Sequence, residues 1–555
     1  MGGRASSEAP RYFRELSPMP ADWTSLSAAF VGQARSHPSN VAVADSNGTS
    51  LTYGDTLLRS AVLGHALSQI WGPAKHVGIM VPPTVPGVVA NLAANLMGKI
   101  AVNLNYTANQ AMIDSSIKQC GITHVITSRK VVERFKIVPG AEIIYLEDLP
   151  AKITWKDKLW GALVAKAVPK RLLKWFLPGV GISDLEETAT VIFTSGSTGE
   201  PKGVVLSQRN ILQNAWQVEE QVHLKPNEVL LGVLPFFHAF GFTVTIWTAL
   251  GLGKKVVYHI NPLDARTVGK LCEEHKVTLL VATPSFTRFY LKSCGPEQFS
   301  AVTHLILGAE KLKPELARDI KSTLNIEPLE GYGCTELSPV VAVNLPDKVT
   351  MPDGRVLDGN RPGTVGLPVP GTLVKTIDPD TGADLPEGAE GMIAVKGPQV
   401  MMGYLHNPRA TERVVKDGWY STGDLGYLDA DGFLKITDRL SRFSKIAGEM
   451  VPHLNLESMI MEITGVDEHH LAVTGVPDAK SGERLCVLYT DLGMPVAEIF
   501  QQLNQGSLPK LWIPAARDFI QVEEIPITAT GKVDLKRLRD VALKQSGAQP
   551  AGQTP

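Results

Sequence analysis

The chain has 555 residues, 44% of them hydrophobic and 20% charged, with a formal net charge of −2. Such a length implies three or four structural units in one or two domains around a sizeable core. The near-neutral balance excludes a protein built for nucleic acid, which needs a basic excess. Five scattered cysteines (Cys120, Cys272, Cys294, Cys334, Cys486) make neither a disulfide framework nor a zinc signature, and point to a reducing, cytoplasmic setting.

In chain order, "MGGRASSEAPRYFREL" has no apolar run of the signal-peptide kind, although Gly2 and Ser6 satisfy a permissive acylation pattern. From residue 77 onward apolar strand-like runs alternate with helical ones. "HVGIMVP" (76–82) reads as a strand, "GVVANLAANLMG" (87–98) as a helix, and "THVITS" (123–128), "VTLLVATP" (277–284) and "THLILGAE" (303–310) as further strands. Pro314 followed by Glu315 suits a helix start. The alternation predicts α/β architecture with mostly parallel sheets covered by helices. Residues 363–436, rich in Gly, Pro and turn pairs, predict a more antiparallel, barrel-like portion. The expected division is a large N-terminal domain over 1–440, a small α+β domain over 441–545, and a disordered tail over 546–555.

"KITWKDKLWGALVAKAVPKRLLKWFLPG" (152–179) stands apart, with seven basic residues, one acid (Asp157) and three of the nine tryptophans. Trp160, Leu163, Val164, Ala167, Val168, Leu172, Trp175 and Phe176 are predicted to share one helical face, split by Pro169. Two readings follow: a helix lying in a membrane interface over 152–178, or a helical pair packed on the body with a solvated basic side.

"TATVIF" (188–193) and "GVVLS" (203–207) read as strands, and "QRNILQNAWQVEE" (208–220) as a helix capped by Ser207. Between the strands lies "TSGSTGEPKG". Its glycines allow backbone N–H groups to converge on an anion. Thr194, Ser195, Ser197 and Thr198 add hydroxyls and Lys202 a charge, a composition suited to a polyphosphate. Gly203 after Lys202 excludes a Walker loop, and a flexible linker is the plain alternative. Further along, "EGYGCTE" (330–336) offers Tyr332 to a base and Glu336 to Mg²⁺. "YSTGDLG" (420–426) offers Asp424 to ribose hydroxyls, with Arg439 following in "TDRLSR". "TATGKVDLKRL" (528–538) sets Lys532 on a loop before a helix that Asp534 can cap. Taken singly, each reads equally well as a cap, turn or surface ion pair.

In order, "TSGSTGEPKG", "LPFFHAFG", "GYGCTE", "YSTGDLG", "TDR" and "TGK" resemble the adenylate-forming superfamily over roughly residues 25–545. The resemblance implies a large α/β domain, a small mobile C-terminal domain, and a two-step reaction between them. A carboxylate attacks the α-phosphate of ATP to give an acyl-adenylate and pyrophosphate; a thiol then displaces AMP. It implies that Thr194, Ser195, Gly196, Ser197, Thr198, Gly199 and Lys202 hold the outer phosphates, Thr335 contacts the α-phosphate and Glu336 holds Mg²⁺. Tyr332, flanked by Gly331 and Gly333, would stack on adenine with Gly308, Ala309 and Glu310 along its edge, Asp424 and Arg439 would bind ribose, and Lys532 would bridge carboxylate and α-phosphate. His238 would border the acyl pocket, unless it is a satisfied core histidine.

Gly448, in "SKIAGEM", would line the thiol's path after the small domain rotates. Ser441 replaces the usual hinge residue and Arg442 stands where an acid is common. "VNLNYT" (102–107), "LGAEKL" (307–312) and "SRFSKIAGEMV" (441–451) resemble acyl-acyl carrier protein synthetases, especially the adenylating half of the bifunctional 2-acylglycerophosphoethanolamine acyltransferases. That implies a fatty acid and an acyl carrier protein, docked at Arg439, Arg442 and Lys445, with CoA as the alternative acceptor. The apolar "FGFTVTIWTALGLG" (240–253) would line an acyl tunnel or be an ordinary buried helix. "HINPLD" (259–264) fits an acyltransferase spacing that chance also supplies. A non-catalytic nucleotide-binding regulator is the alternative of another class, and the intact Glu336, Asp424 and Lys532 argue against it.

Overall fold

The computed structural model describes residues 10, 12–194, 201–446, 449–467, 469–478, 481–505, 510–527 and 533–546, with residues 441, 445, 449, 450 and 511 described by backbone alone. Ser195–Gly199, Gly448 and Lys532 therefore lie outside the described residues, as does most of the tail expected over 546–555.

Two large sheets form the N-terminal part. One runs in the order Gly403–Tyr404, Lys202–Ser207, Thr188–Thr194, Ile100–Asn103, His76–Met80, His124–Thr127, Glu142–Tyr145, parallel from Thr188–Thr194 onward. The other has Val41–Asp45, Lys255–Tyr258, Val229–Gly232, Leu279–Ala282, His304–Leu307 and Pro328–Gly333 in parallel, with antiparallel strands added at both edges. The strands are short and rich in Val, Ile and Leu, as expected where helices cover both faces. The helix Val85–Leu96, capped by Thr84 with Pro86 in its first turn, is buried almost throughout and packs against strands of both sheets. This places it two residues earlier than the sequence suggests, because the cap is Thr84.

The helix Gln208–Val222 explains how the next portion is held. Ser207 and Asn210 cap it reciprocally at 3.1 and 2.9 Å. Its buried amides then clamp distant backbone: Asn210 donates to Pro398 O and Val400 O, Asn214 to Val340 O, and Gln217 to Pro370 O, each at 2.8 Å. Buried amides paired in this way fix register, because an unpaired one would cost about 1–3 kcal/mol. The portion expected to be barrel-like is an antiparallel sheet of Leu373–Ile377, Gly391–Lys396, Val415–Lys416, Trp419–Leu428 and Leu434–Arg439.

A smaller α+β unit follows, with strands Phe443–Ile446, Glu449–Pro452, Leu471–Asp478, Gly482–Tyr489 and Phe519–Gln521 and helices His453–Thr464, Val496–Gln505 and Leu535–Ser546. Its buried clusters begin at Ile446, whereas the main core ends at Leu434. Asp534 caps the last helix, accepting from Arg537 N at 3.0 Å, as its sequence predicts.

The basic stretch departs from expectation. It forms a helix Trp155–Lys166 and 3₁₀ turns Lys170–Trp175 and Pro178–Gly181. Its apolar residues do not share one face. Val164, Val168 and Leu173 are buried, whereas Leu163, Leu172 and Trp175 are exposed. The break at Pro169 and the tighter turn after it destroy the single stripe that a continuous helix would have made.

Candidate active site

A cleft of ≈ 2090 Å³ opens at the carboxyl ends of the parallel strands, between the large and small units, where open α/β sheets place their ligands. The register Leu307↔Glu330 sets Gly308–Glu310 beside Glu330–Gly333 on its floor. Gly333 is required there: a Cβ would stand 1.9 Å from Pro339 O. Ala309 adopts φ 71°, a left-handed turn unusual for a side-chain-bearing residue. The Glu310 carboxylate is committed to the helix Pro284–Ser293, accepting from Ser285 N at 3.1 Å and Ser285 Oγ at 2.6 Å.

Tyr332, Asp424 and Arg439 come together. The hairpin of Trp419–Leu428 and Leu434–Arg439 pairs Asp424 directly with Arg439. Arg439 Nε donates to Asp424 Oδ1 and Tyr332 Oη donates to Asp424 Oδ2, both at 2.5 Å. Asp424 is 3% exposed. Its charge holds the Arg439 guanidinium even more firmly protonated, while burial and the same carboxylate push the Tyr332 phenol well up.

Thr194 and Lys202 are register partners at the mouth of the Gly/Ser/Thr loop. Lys202 Nζ lies 5.5 Å from the ring centroid of Tyr404, whose hydroxyl donates to Glu336 Oε1 at 2.9 Å. Tyr404 reaches this point because Gly403–Tyr404 pairs with Val204–Val205. Thr335 and Glu336 sit on a short 3₁₀ turn after Cys334 and line the cleft. Tyr404 escaped the sequence reading. Its strand is two residues long and shows no period, and "GYL" carries no sign of its partner.

His238 lines the cleft beside Phe237, their rings 4.9 Å apart, just before a wide π-type helix Phe240–Thr248. That helix is buried, and Phe240, Val244 and Thr248, spaced by four, face the cleft. The segment is thus a buried helix that also presents side chains to the cleft. Apolar side chains of this helix, of Gln208–Val222 and of the sheet also line the cleft, among them Val218, Val222, Leu230, Val244, Leu279 and Ile306. From Thr283 at the strand tip to Leu279 is four residues, roughly 13 Å.

On the small unit, Arg442 does not stand free for a partner as its position in a basic edge suggested. Its Nη2 donates to the buried carboxylate of Glu457, which also accepts from Val473 N at 2.8 Å. Arg439 is likewise engaged by Asp424, and the Lys445 side chain lies outside the described residues. Asp438, which accepts from Arg439 N at 2.7 Å, is pushed up to about 6 by burial. Ile527 and Val533 bridge as an antiparallel pair and line the cleft, bracketing the segment that carries Lys532. Phe443 and Pro452, register partners in the antiparallel strands Phe443–Ile446 and Glu449–Pro452, line it too. The His259–Asp264 pair belongs to a helix cap instead: Asp264 accepts from Thr267 N at 3.2 Å, and the buried His259 bonds Ser46 Oγ at 2.8 Å.

The AMP-binding enzyme family matches residues 30–405. A probable 4-coumarate–CoA ligase 1 of Dictyostelium discoideum is 32% identical over 377 residues, 65% of this chain and 65% of that protein. The long-chain-fatty-acid–CoA ligase of Salmonella typhimurium is 28% identical over 528 residues, 89% of this chain and 91% of that one. Among solved structures, ATP-bound MatB from Rhodopseudomonas palustris superposes with a TM-score of 0.75 at 24% identity, over 93% of this chain and 99% of MatB. A cleft floored by glycines and ringed by Tyr332, Glu336, Asp424 and Arg439, on this sheet order, agrees with the match: the chain belongs to the AMP-binding enzyme family.

Proposed function

We propose that this chain activates a fatty acid with ATP through an acyl-adenylate and then forms a thioester on a phosphopantetheine thiol. The observation that carries the reading is the apolar lining of the cleft by Val218, Val222, Leu230, Val244, Leu279 and Ile306. A polymethylene chain with C–C bonds of about 1.5 Å advances roughly 1.3 Å per carbon, so a chain laid along Thr283–Leu279 would span about ten carbons. The fatty-acid–CoA ligase that aligns over most of the chain supports the same acid class.

The first step brings a carboxylate against a triphosphate, so catalysis is chiefly neutralisation and positioning. Lys202 and the 194–199 loop take the outer phosphates, Thr335 the α-phosphate, and Asp424 with Arg439 the ribose. The carboxylate of Glu336, oriented by Tyr404, fits Mg²⁺, an ion that takes one or two carboxylates and completes its shell with water and phosphate oxygens. Mg²⁺ would supply charge neutralisation at the phosphates. Lys532 bridges the attacking carboxylate and the α-phosphate, and the unit 441–545 turns relative to 1–440 to exchange Lys532 for Gly448 before thiol attack.

Two carriers bear that thiol. CoA is supported by the ligases that align along the chain. Acyl carrier protein is supported by the resemblance of "VNLNYT", "LGAEKL" and "SRFSKIAGEMV", but its docking edge now lacks a free Arg439 and Arg442. The test is ATP–pyrophosphate exchange across fatty acids of graded length, followed by product analysis with CoA and with holo-carrier protein. Exchange that rises with chain length and falls about a hundredfold in Lys532→Ala is expected. No exchange with any acid would end the reading.

A further inference from the structure

The helix Trp155–Lys166 and the turn Lys170–Trp175 present an outward surface that nothing in the catalytic reading uses. Five of the thirteen exposed large hydrophobic side chains among the described residues fall here: Trp155 (69% exposed), Leu159 (59%), Leu163 (48%), Leu172 (42%) and Trp175 (75%). Trp155, Leu159 and Leu163 follow at steps of four along one stripe, and Lys166 falls on the same stripe at 100° per residue. Asp157, Gly161 and Val164 stand about 180° away and face the body.

The inner side is firmly attached, so the stripe cannot turn inward. Trp160 stacks on His65 with centroids 4.3 Å apart, and Asp157 bonds His65 Nδ1 at 2.7 Å. Arg35 donates to Val164 O at 2.6 Å and to Val168 O at 2.9 Å. A Cβ on Gly161 would meet Val62 Cγ2 at 2.3 Å, so the helix backbone approaches its neighbour as closely as a chain can.

Charge decides what fits the outer side. Residues 152–179 carry seven basic residues and a single acid, and that acid, Asp157, is turned to His65. One of the seven, Lys170, pairs with the exposed Asp22 at 3.0 Å. Lys156 and Lys174 lie over the rings of Trp155 and Trp175 at 6.0 and 5.7 Å. Protein interfaces are depleted of lysine and favour arginine, whereas six of these seven are lysines. Nucleic acid would leave the leucines unused. Indoles at headgroup depth, leucines just below and lysines reaching phosphates suit a lipid surface.

We propose that this face docks the protein peripherally on a bilayer carrying anionic phospholipid. Among the described residues no helix is long and apolar enough to cross a membrane, so the contact is lateral. The inference stands on the surface alone, and lipid binding is read without turnover.

The experiment is co-sedimentation of the full chain with vesicles of phosphatidylcholine containing phosphatidylglycerol, and with phosphatidylcholine alone, at low and high salt. Two variants change only exposed side chains: Trp155→Ser/Trp175→Ser, and Lys158→Glu/Lys166→Glu/Lys174→Glu. Melting temperature and pyrophosphate exchange report that each is folded. The expected result is preference of the parent for anionic vesicles, release by salt, and roughly tenfold weaker partitioning in each variant. Equal partitioning of parent and both variants overturns the proposal, as does equal affinity for neutral vesicles. Sedimentation equilibrium covers the competing occupant: a dimer dissolved by the same substitutions, with vesicle binding unchanged, assigns the face to a second copy and overturns it too.

Discussion

Glu330 offers a quantitative handle on the cleft floor. It is buried within Pro328–Gly333, accepts from Leu312 N at 3.1 Å, and is pushed up to about 7 by burial, which that hydrogen bond and nearby Lys311 only partly offset. An unfolded glutamate ionises near 4.5. Between those values the folded chain holds more protons than the unfolded one, so its stability falls as pH rises. At about 1.4 kcal/mol per unit, the loss reaches roughly 3 kcal/mol by pH 7.5, and is below about 1 kcal/mol at pH 5. Glu330→Gln keeps an acceptor for Leu312 N and removes the ionisation. The variant should therefore melt higher than the parent at pH 7.5, by roughly 3 °C for a unit several hundred residues long, and within a degree of it at pH 5. Scanning calorimetry at the two pH values measures this. A shift of equal size at both, or a lower melting temperature only at pH 7.5, refutes the assignment of a buried, reluctantly ionised carboxyl.

Tyr404→Phe removes the hydroxyl that orients Glu336; a hydrogen bond to a charged group is worth about 1.5–3 kcal/mol. Pyrophosphate exchange should fall roughly tenfold and need more Mg²⁺ for half-maximal rate, and an unaltered Mg²⁺ titration would remove Tyr404 from the site. Arg442→Ala strands the buried Glu457 charge and should loosen the small unit by about 3 kcal/mol. Hydrogen exchange over 443–505 reads that loosening; a higher KM for the thiol with unchanged protection would restore Arg442 as a docking residue. Val222→Phe enlarges a side chain of the apolar cleft lining, so kcat/KM for the longest acids should fall about tenfold relative to short ones, whereas an even loss across all lengths would place the acyl chain elsewhere.

Local chemistry was readable in the sequence; long-range partnership was not. The pairing of the strands that end at Thr194 and begin at Lys202, the Ser207 cap and the Asp534 cap all depend on residues within a few positions of one another, and each is found. Arg442 looked free because its partner Glu457 is one of many acids in the sequence, and only the fold buries it against Val473. The single apolar face expected of the basic stretch fails for a related reason. Hydropathy counts apolar residues but does not say which of two apolar sides meets the body, and Gly161, with no side chain of its own, is what lets that helix approach Val62.

The pairing of Gly403–Tyr404 with Val204–Val205 also bears on how the protein is made. The hairpin of Thr188–Thr194 and Lys202–Ser207 borders a sheet edge, and the strand that covers this edge emerges from the ribosome some two hundred residues later. Until then the growing polypeptide exposes unsatisfied backbone along Lys202–Ser207, a template for aggregation. Fragments ending before residue 398 should accordingly precipitate where one ending at 439 stays in solution. If both remain dispersed after expression, the late strand is not what shields that edge.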